Sequence, residues 1–198
     1  MITPQEKYIL TMIKKSLIGT VLVNEKHGDA GRDFETKIEM MGININRGDG
    51  VDCKEFDWEF KTRHENATSA QTVGTMLPED IINTVNWYDT PIHKKIKKQL
   101  RATLDKNSII IDIDLIDFDQ LHVQDMCEQA YNHARKQIIN NPSIVYTSQK
   151  GGYYGYFENT NPNKTRSLDW RISDSNMDKL KNMATSTFSS IFEYDKEI

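Results

Sequence analysis

The chain has 198 residues, of which 37% are hydrophobic and 27% charged, a composition typical of a soluble globular protein with a sizeable core. No apolar run approaches the length of a membrane span, and the N-terminus lacks the apolar segment of a signal peptide. We therefore expect a cytoplasmic protein with no membrane partner. The net charge of −4 argues mildly against nucleic acid without excluding it, because binding depends on where the charges lie.

The first third of the chain predicts two helices. Thr3 is a capping residue, a proline follows at the first helical position, and apolar residues then recur at helical spacing. The second helix is predicted over residues 31–41. Glu35 and Glu39 lie one turn apart on it, and either could contribute a carboxylate to a site.

A glycine-rich turn at residues 46–50 precedes the strongest candidate site. Residues 56–62 alternate as a strand does, with aromatic side chains on one face and Glu59 and Lys61 on the other. Asp52 lies seven residues before Glu59, and two carboxylates with an ammonium suit a divalent-metal site that activates water. The alternative is a solvent-exposed strand face with a weak Glu59–Lys61 ion pair.

The pattern Asp52-x6-Glu59-x-Lys61 resembles the metal site of the PD-(D/E)xK nucleases, at the spacing of MutH-like enzymes and related restriction endonucleases. Those enzymes also carry an upstream helix of the pattern K-G-x-x-G-x-x-x-E, whose glutamate joins the site. Residues 26–35, which read K-H-G-D-A-G-R-D-F-E, are similar to it, with one extra residue after the lysine. The interval from there to Asp52 is slightly longer than in the family, and the resemblance covers residues 26–76.

The expected fold class is α/β (α+β), with a central mixed β-sheet flanked by helices in a restriction-endonuclease-like fold. Residues 56–62 are expected to form an inner strand. We expect a single nuclease domain over residues 1–198, with the catalytic core at about 20–115 and DNA-contacting elements at about 140–185.

The resemblance implies that Asp52, Glu59 and the main-chain carbonyl of Phe60 hold Mg²⁺, for which Mn²⁺ would substitute. Lys61 would orient or help to deprotonate the attacking water, and Glu35 would bind a second ion or fix the water. The four residues expected to be catalytic are Asp52, Glu59, Lys61 and Glu35.

The expected activity is Mg²⁺-dependent hydrolysis of double-stranded DNA with 5′-phosphate products. We expect a sequence-specific type II restriction endonuclease of a restriction-modification system, acting as a homodimer. The alternatives are a MutH-like strand-nicking repair nuclease and a phage DNA-degrading nuclease. From another class, the chain could be a non-catalytic DNA-binding protein on a nuclease fold.

The middle of the chain predicts further elements. Residues 71–76 are expected to form a strand beside the site strand, and a helix starts at Pro78. Residues 91–104 predict a basic helix. Residues 108–119 predict an edge strand with exposed aspartates, and residues 118–140 a long helix that stops before a proline.

The last third is expected to be rich in strands. Residues 144–148 and 153–157 predict a hairpin around a turn at 150–152. A polar loop then leads to residues 168–172, and a short helix is expected at 174–183.

Polar and basic residues near the end of the site strand and around the C-terminal hairpin are candidates for contacting DNA. They are Arg63, His64, Thr68, Ser69, Gln71, Lys150, Lys164, Arg166 and Arg171. The alternative is an ordinary loop and a well-packed hairpin. Cys53 and Cys127 lack metal-ligand spacing, which predicts two free thiols.

Overall fold

A computed structural model describes residues 2–23, 25–26, 28–48, 50–67, 70–144, 147, 155–159 and 166–172. The helices are α1 (Pro4–Leu17), α2 (Asp29–Met40), α3 (Pro78–Asn83), α4 (Pro91–Lys95) and α5 (Leu121–Asn140), with a short 3-10 helix at Trp87–Asp89. The strands are β1 (Trp58–His64), β2 (Gln71–Met76), β3 (Lys98–Leu104), β4 (Ile110–Asp117), β5 (Gly155–Glu158) and β6 (Leu168–Ile172). The protein is therefore a mixed α and β protein, in agreement with the expected class.

The described strands form two three-stranded sheets rather than one central mixed sheet. In the first sheet, ordered β1-β3-β4, β3 pairs parallel with β1 and antiparallel with β4. In the second sheet, ordered β2-β6-β5, both pairings are antiparallel. Two predictions are therefore wrong for the described residues. The site strand β1 lies at the edge of its sheet rather than inside it. The strand β2 pairs with β6 in the second sheet and does not lie beside the site strand.

The described residues fall into two compact units. The first is built from residues 2–67 and 97–118 and contains α1, α2 and the first sheet. The second is built from residues 70–96 and the described residues of 119–172, and contains α3, α4, α5 and the second sheet. The single domain stays a prediction. None of the described helices is both long enough and apolar enough to cross a membrane.

The first sheet has an apolar face covered by α1 and α2. Trp58 of β1, Leu100 of β3 and Ile113 of β4 are fully buried, and they share one core with Ile13 of α1 and Phe34 of α2. Full burial of such a side chain contributes roughly 1.5–3 kcal/mol each. Because strand side chains alternate, Glu59 and Lys61 of β1 and Gln99 and Arg101 of β3 lie on the opposite face.

The predicted basic helix over residues 91–104 is wrong. Its first turn is α4, but the chain then leaves the helix and Lys98–Leu104 forms β3, the central strand of the first sheet. Leu100, Ala102 and Leu104 alternate onto the apolar face, and each is at most 1% exposed. Pairing on both sides of β3, together with this burial, outweighs the helix propensity of its lysine, leucine and glutamine residues.

Other predicted elements agree better with the structure. The strand predicted over residues 108–119 is β4 and lies at a sheet edge. Of the four aspartates in this range, only Asp119 is exposed as expected, because Asp112 and Asp114 are half-buried and Asp117 is 3% exposed. The long helix is α5, and Cys53 and Cys127 are free, buried thiols. Of the C-terminal hairpin, the structure describes β5 and Thr147, whose N–H donates to Phe157 O at 2.8 Å. Residues 148–154 and 174–183 lie outside the described residues.

Glu6 is a buried carboxylate that fastens α1 to the first sheet. Its Oε1 accepts hydrogen bonds from Lys98 Nζ at 2.7 Å and Trp58 Nε1 at 3.0 Å. Its Oε2 accepts the Thr3 N–H at 2.7 Å, which completes a capping box at the start of α1. Burial raises the pKa of Glu6, but the hydrogen bonds, led by that from Lys98, outweigh burial and lower the pKa below its ordinary value.

Glu6→Gln is expected to lower the free energy of unfolding at neutral pH by about 3 kcal/mol, because Lys98 then keeps a mostly buried charge without its partner. Since the pKa of Glu6 is lower in the folded chain, its stabilisation is present above about pH 4.3 and is lost as pH falls through the folded-state pKa. Urea unfolding of both proteins at about pH 7 and about pH 3 measures this. The difference in the free energy of unfolding between wild type and Glu6→Gln should be smaller at the lower pH. An equal difference at the two pH values would contradict the expectation.

Candidate active site

A tight hairpin returns the chain so that Asp52 lies against β1. Cys53 N–H donates to Trp58 O at 2.9 Å, and Trp58 N–H donates to Cys53 O at 3.0 Å. Between them, Asp57 adopts a left-handed conformation with φ of 55°, which closes the turn. The Asp52 carboxylate then accepts the backbone N–H of Phe60 through Oδ2 at 2.6 Å. The hairpin explains why β1 begins at Trp58 rather than at residue 56 as predicted.

Glu59 and Lys61 lie on one face of β1, as the alternation of the sequence predicts. Lys61 Nζ donates to Glu59 Oε1 at 2.6 Å. Glu59 is only 1% exposed, whereas 30% of the Lys61 side chain is exposed. The alternative of a solvent-exposed ion pair is therefore wrong for Glu59, because this buried carboxylate depends on its protein partners for stabilisation.

Helix α2 packs closely on β1 and so brings a third carboxylate to the hairpin. Phe34 of α2 meets Phe60 of β1 edge to face, with ring centroids 6.1 Å apart. One turn earlier, Gly31 faces β1, and a Cβ there would lie 3.9 Å from Thr62 Oγ1. These two contacts fix the position of Glu35, which follows Phe34 in the helix.

Glu35 is electrostatically coupled to the other predicted site residues. Burial raises the pKa of Glu35, and the negative charge of Asp52 raises it further, with a smaller contribution from Glu59. Arg47 and Lys61 act in the opposite direction, but the net shift is upward. Glu35 is thus within electrostatic range of Asp52, Glu59 and Lys61, and these four residues form the carboxylate cluster of the candidate site.

Glu39 takes a different position from Glu35. Its Oε2 accepts a hydrogen bond from Arg47 Nη2 at 2.6 Å, and 47% of its side chain is exposed. Of the two glutamates left open by the sequence, Glu35 is the one beside Asp52, and Glu39 lies one turn away in an exposed ion pair.

Two further polar residues, Gln99 and Arg101 of β3, lie beside Glu59 and Lys61. The sequence did not indicate them as site residues, because this segment was predicted to be a helix. The register of the first sheet pairs Gln99 with Glu59 and Arg101 with Lys61. Paired strand residues lie on the same face, and both residues are buried, at 0% and 4% exposure. The apolar alternation of Leu100, Ala102 and Leu104 was the signal that could have identified this strand and its polar face.

The residues predicted to contact DNA near the end of β1 are engaged with nearby backbone. Arg63 Nη2 donates to Ala67 O at 3.1 Å, and His64 Nδ1 lies 3.0 Å from Asp105 O. Both side chains are half-buried. Thr68, Ser69, Lys150 and Lys164 lie outside the described residues.

The remaining predicted DNA contacts belong to the second unit. Gln71 and Arg171 are buried, at 7% and 9% exposure, and Arg171 Nε lies 3.3 Å from a carboxylate oxygen of Glu158. Their burial indicates a role in packing β2 and β6 rather than a surface contact. Arg166 pairs with Glu79 but keeps 77% of its side chain exposed, so it is the one of these three on the surface.

The donors at the hairpin fit a hard divalent cation. Asp52, Glu59 and the carbonyl of Phe60 supply oxygen ligands, which Mg²⁺ prefers. In the part of the chain that the structure describes, no group of three or more His, Cys, Asp or Glu residues is arranged to hold a metal ion. A pair of carboxylates is nevertheless compatible with Mg²⁺, which usually keeps several waters and takes one or two carboxylates from the protein.

Comparison with protein-family models gives no match to this chain, and comparison with curated proteins gives none either.

Proposed function

We propose that the chain is a Mg²⁺-dependent DNA endonuclease of the PD-(D/E)xK type, with a restriction-endonuclease-like fold. The observation that carries the proposal is the hairpin that sets Asp52 on the Phe60 N–H, next to the Glu59–Lys61 pair and with Glu35 coupled to all three. A solvent-exposed strand face would not require a buried glutamate beside two further acids. Burial of a charge is costly unless the charge is paired and hydrogen-bonded, and such buried, closely placed titratable groups are concentrated at functional sites.

In the proposed reaction, Asp52, Glu59 and the Phe60 carbonyl would hold Mg²⁺, or Mn²⁺ in its place. The bound ion supplies stabilisation of developing negative charge and a more acidic water. Lys61 orients the attacking water and stabilises its deprotonated form through its ammonium group. Glu35 fixes the water or accepts its proton, and its pKa is raised by burial and by the negative charge of Asp52.

The ion pair between Lys61 and Glu59 fits the needs of such a site before substrate binds. Glu59 is almost fully buried, and the ammonium 2.6 Å away offsets its charge. Because the Lys61 side chain is partly exposed, it can move toward solvent and substrate without unpacking the core. One lysine can thus stabilise the folded site and later serve the attacking water.

For the biological role we propose a sequence-specific type II restriction endonuclease of the cytoplasm, acting on double-stranded DNA as a homodimer. A dimer would place one site on each strand, so that both strands are cut. A MutH-like nicking enzyme would instead act as a monomer and leave the plasmid as an open circle. The DNA-contacting part of the proposal depends on Arg166 and on residues outside the described ranges.

The wild-type chain is expected to cut mixed-sequence plasmid DNA in Mg²⁺ and to leave 5′-phosphate ends that DNA ligase can rejoin. Discrete bands on a gel would indicate a restriction enzyme, a smear would indicate a degrading nuclease, and an open circle would indicate a nicking enzyme. Size-exclusion chromatography of the same sample tests the homodimer. DNA binding without cutting in Mg²⁺ or Mn²⁺ would replace the proposal with a non-catalytic DNA-binding protein.

A further inference from the structure

The turn before Asp52 is tied directly to the candidate site. Asn46 N–H donates to Asp52 O at 2.6 Å, and Asn46 Nδ2 donates to Val51 O at 3.1 Å. The Asn46 Oδ1 also accepts the Gly48 N–H at 3.4 Å. The base of the turn is therefore closed on the backbone of a site residue, and Arg47 follows the residue that closes it.

Arg47 lies at the rim of the carboxylate cluster. Its guanidinium donates to Glu39, which lies four residues after Glu35 on α2, or about 6 Å along the axis. Of the Arg47 side chain 54% is exposed, so the guanidinium can be reached from solvent. The positive charge of Arg47 also acts on Glu35 and opposes the rise in the pKa of Glu35.

The negative charges of the cluster make a cation at the position of Arg47 favourable for binding an anionic substrate. Asp52 lies against β1 beside Glu59, its negative charge acts on Glu35, and the Lys61 ammonium is already engaged with Glu59. A phosphate that approached such a cluster would be repelled, because like charges a few ångströms apart repel by more than 1 kcal/mol even at a protein surface. An arginine is suited to this task, since its planar guanidinium can donate two parallel hydrogen bonds to a phosphate.

We propose that Arg47 binds a backbone phosphate of the nucleic acid next to the scissile bond and positions it over the carboxylate cluster. The inference depends on the proposed function, since it identifies a substrate contact of the same site. Its ion pair with Glu39 is exposed, and exposed pairs contribute only about 0–1 kcal/mol, so a phosphate can replace Glu39 at little cost. Arg47 is a positioning residue that the sequence does not reveal, because an arginine in a turn belongs to no recognisable motif.

The test uses the whole chain and a short fluorescent DNA duplex in Ca²⁺, with fluorescence anisotropy measured over a range of KCl concentrations. Arg47→Ala is expected to weaken binding about tenfold at moderate salt, the usual loss for a charged hydrogen bond. The slope of log Kd against log salt should fall by about 0.9, which corresponds to one phosphate contact. Arg47→Lys should keep the slope and lose part of the affinity. Thermal melting confirms that each variant is folded.

Arg32→Ala is the matched control, because Arg32 is also an exposed arginine of this region in an ion pair, here with Asp29 of α2. It is expected to leave the salt slope unchanged. Glu39→Gln releases Arg47 and should bind DNA at least as tightly as wild type. Weaker binding by Glu39→Gln, or a wild-type slope in Arg47→Ala, would overturn the inference while the nuclease proposal stands. Absence of both cutting and DNA binding in the wild type would instead remove the proposed function itself, and the inference with it.

Discussion

Lys61→Ala is expected to slow Mg²⁺-dependent DNA cleavage by roughly 10²–10⁴-fold and to leave DNA affinity nearly unchanged. The ammonium group of Lys61 orients the attacking water in the proposed reaction and stabilises its deprotonated form. Loss of a group with such a role typically slows a reaction by this factor. Affinity should be preserved because Lys61 is engaged with the buried Glu59 rather than with the surface. Single-turnover cleavage rates and Kd values in Ca²⁺ measure the two effects separately.

Lys37→Ala is the matched control for Lys61, because Lys37 is a half-buried lysine of α2 that also pairs with an acid, Asp33, at 3.7 Å. It is expected to cleave like wild type. Removal of Lys61 also leaves Glu59 with less compensation, so a loss of stability could imitate a loss of activity. Lys61→Arg separates the two, because arginine retains the positive charge beside Glu59, whereas its larger planar guanidinium cannot hold the attacking water as the compact ammonium does; it should therefore be as stable as wild type and still cleave slowly. Wild-type cleavage by folded Lys61→Ala would eliminate Lys61 as the catalytic lysine.

Asp52→Asn is expected to weaken Mg²⁺ binding. It should also slow cleavage at roughly millimolar Mg²⁺ by roughly 10²-fold or more, which is the scale of other electrostatic contributions to catalysis. The asparagine has nearly the same shape, and its amide oxygen can still accept the Phe60 N–H, so the hairpin should persist. What is lost is the negative charge that a hard cation requires. Calorimetric titration with Mg²⁺ and cleavage rates over a range of Mg²⁺ concentrations measure this, and high Mg²⁺ should restore part of the rate.

Asp57→Asn is the control for Asp52→Asn, since it makes the same chemical change within the same hairpin. Asp57 is exposed and left-handed, a conformation that asparagine adopts readily, so the fold should tolerate it. Metal affinity and cleavage should match those of wild type. If Asp52→Asn and Asp57→Asn had equal metal affinities, Asp52 would not be a ligand.

Local signals in the sequence were sufficient to predict the elements whose ends are marked by capping residues or by a regular alternation of side chains. The threonine cap and proline at the start of α1 predict its first residue, and Thr3 and Glu6 form the capping box in the structure. The alternation of Glu59 and Lys61 predicts their common face in the same way, because it depends only on the two-residue period of a strand.

What the sequence could not predict depends on pairing between distant residues. The stretch Lys98–Leu104 has good helix formers and became a strand only because β1 and β4 pair with it on both sides. The edge position of β1 and the separation of β2 into another sheet are also matters of pairing. The burial of Glu59 and the Arg47–Glu39 pair follow from packing between elements, so a motif read along the chain could not show them.

The most direct test of the central claim is cleavage of supercoiled plasmid by the wild-type chain, with Mg²⁺ as the one variable. The site on β1 predicts cutting in Mg²⁺, complete loss of cutting in EDTA, and its recovery when Mg²⁺ is added in excess of the chelator. Lack of cutting in both Mg²⁺ and Mn²⁺, or equal cutting in EDTA, would contradict the assignment of Asp52, Glu59 and Lys61 to a metal-dependent nuclease site.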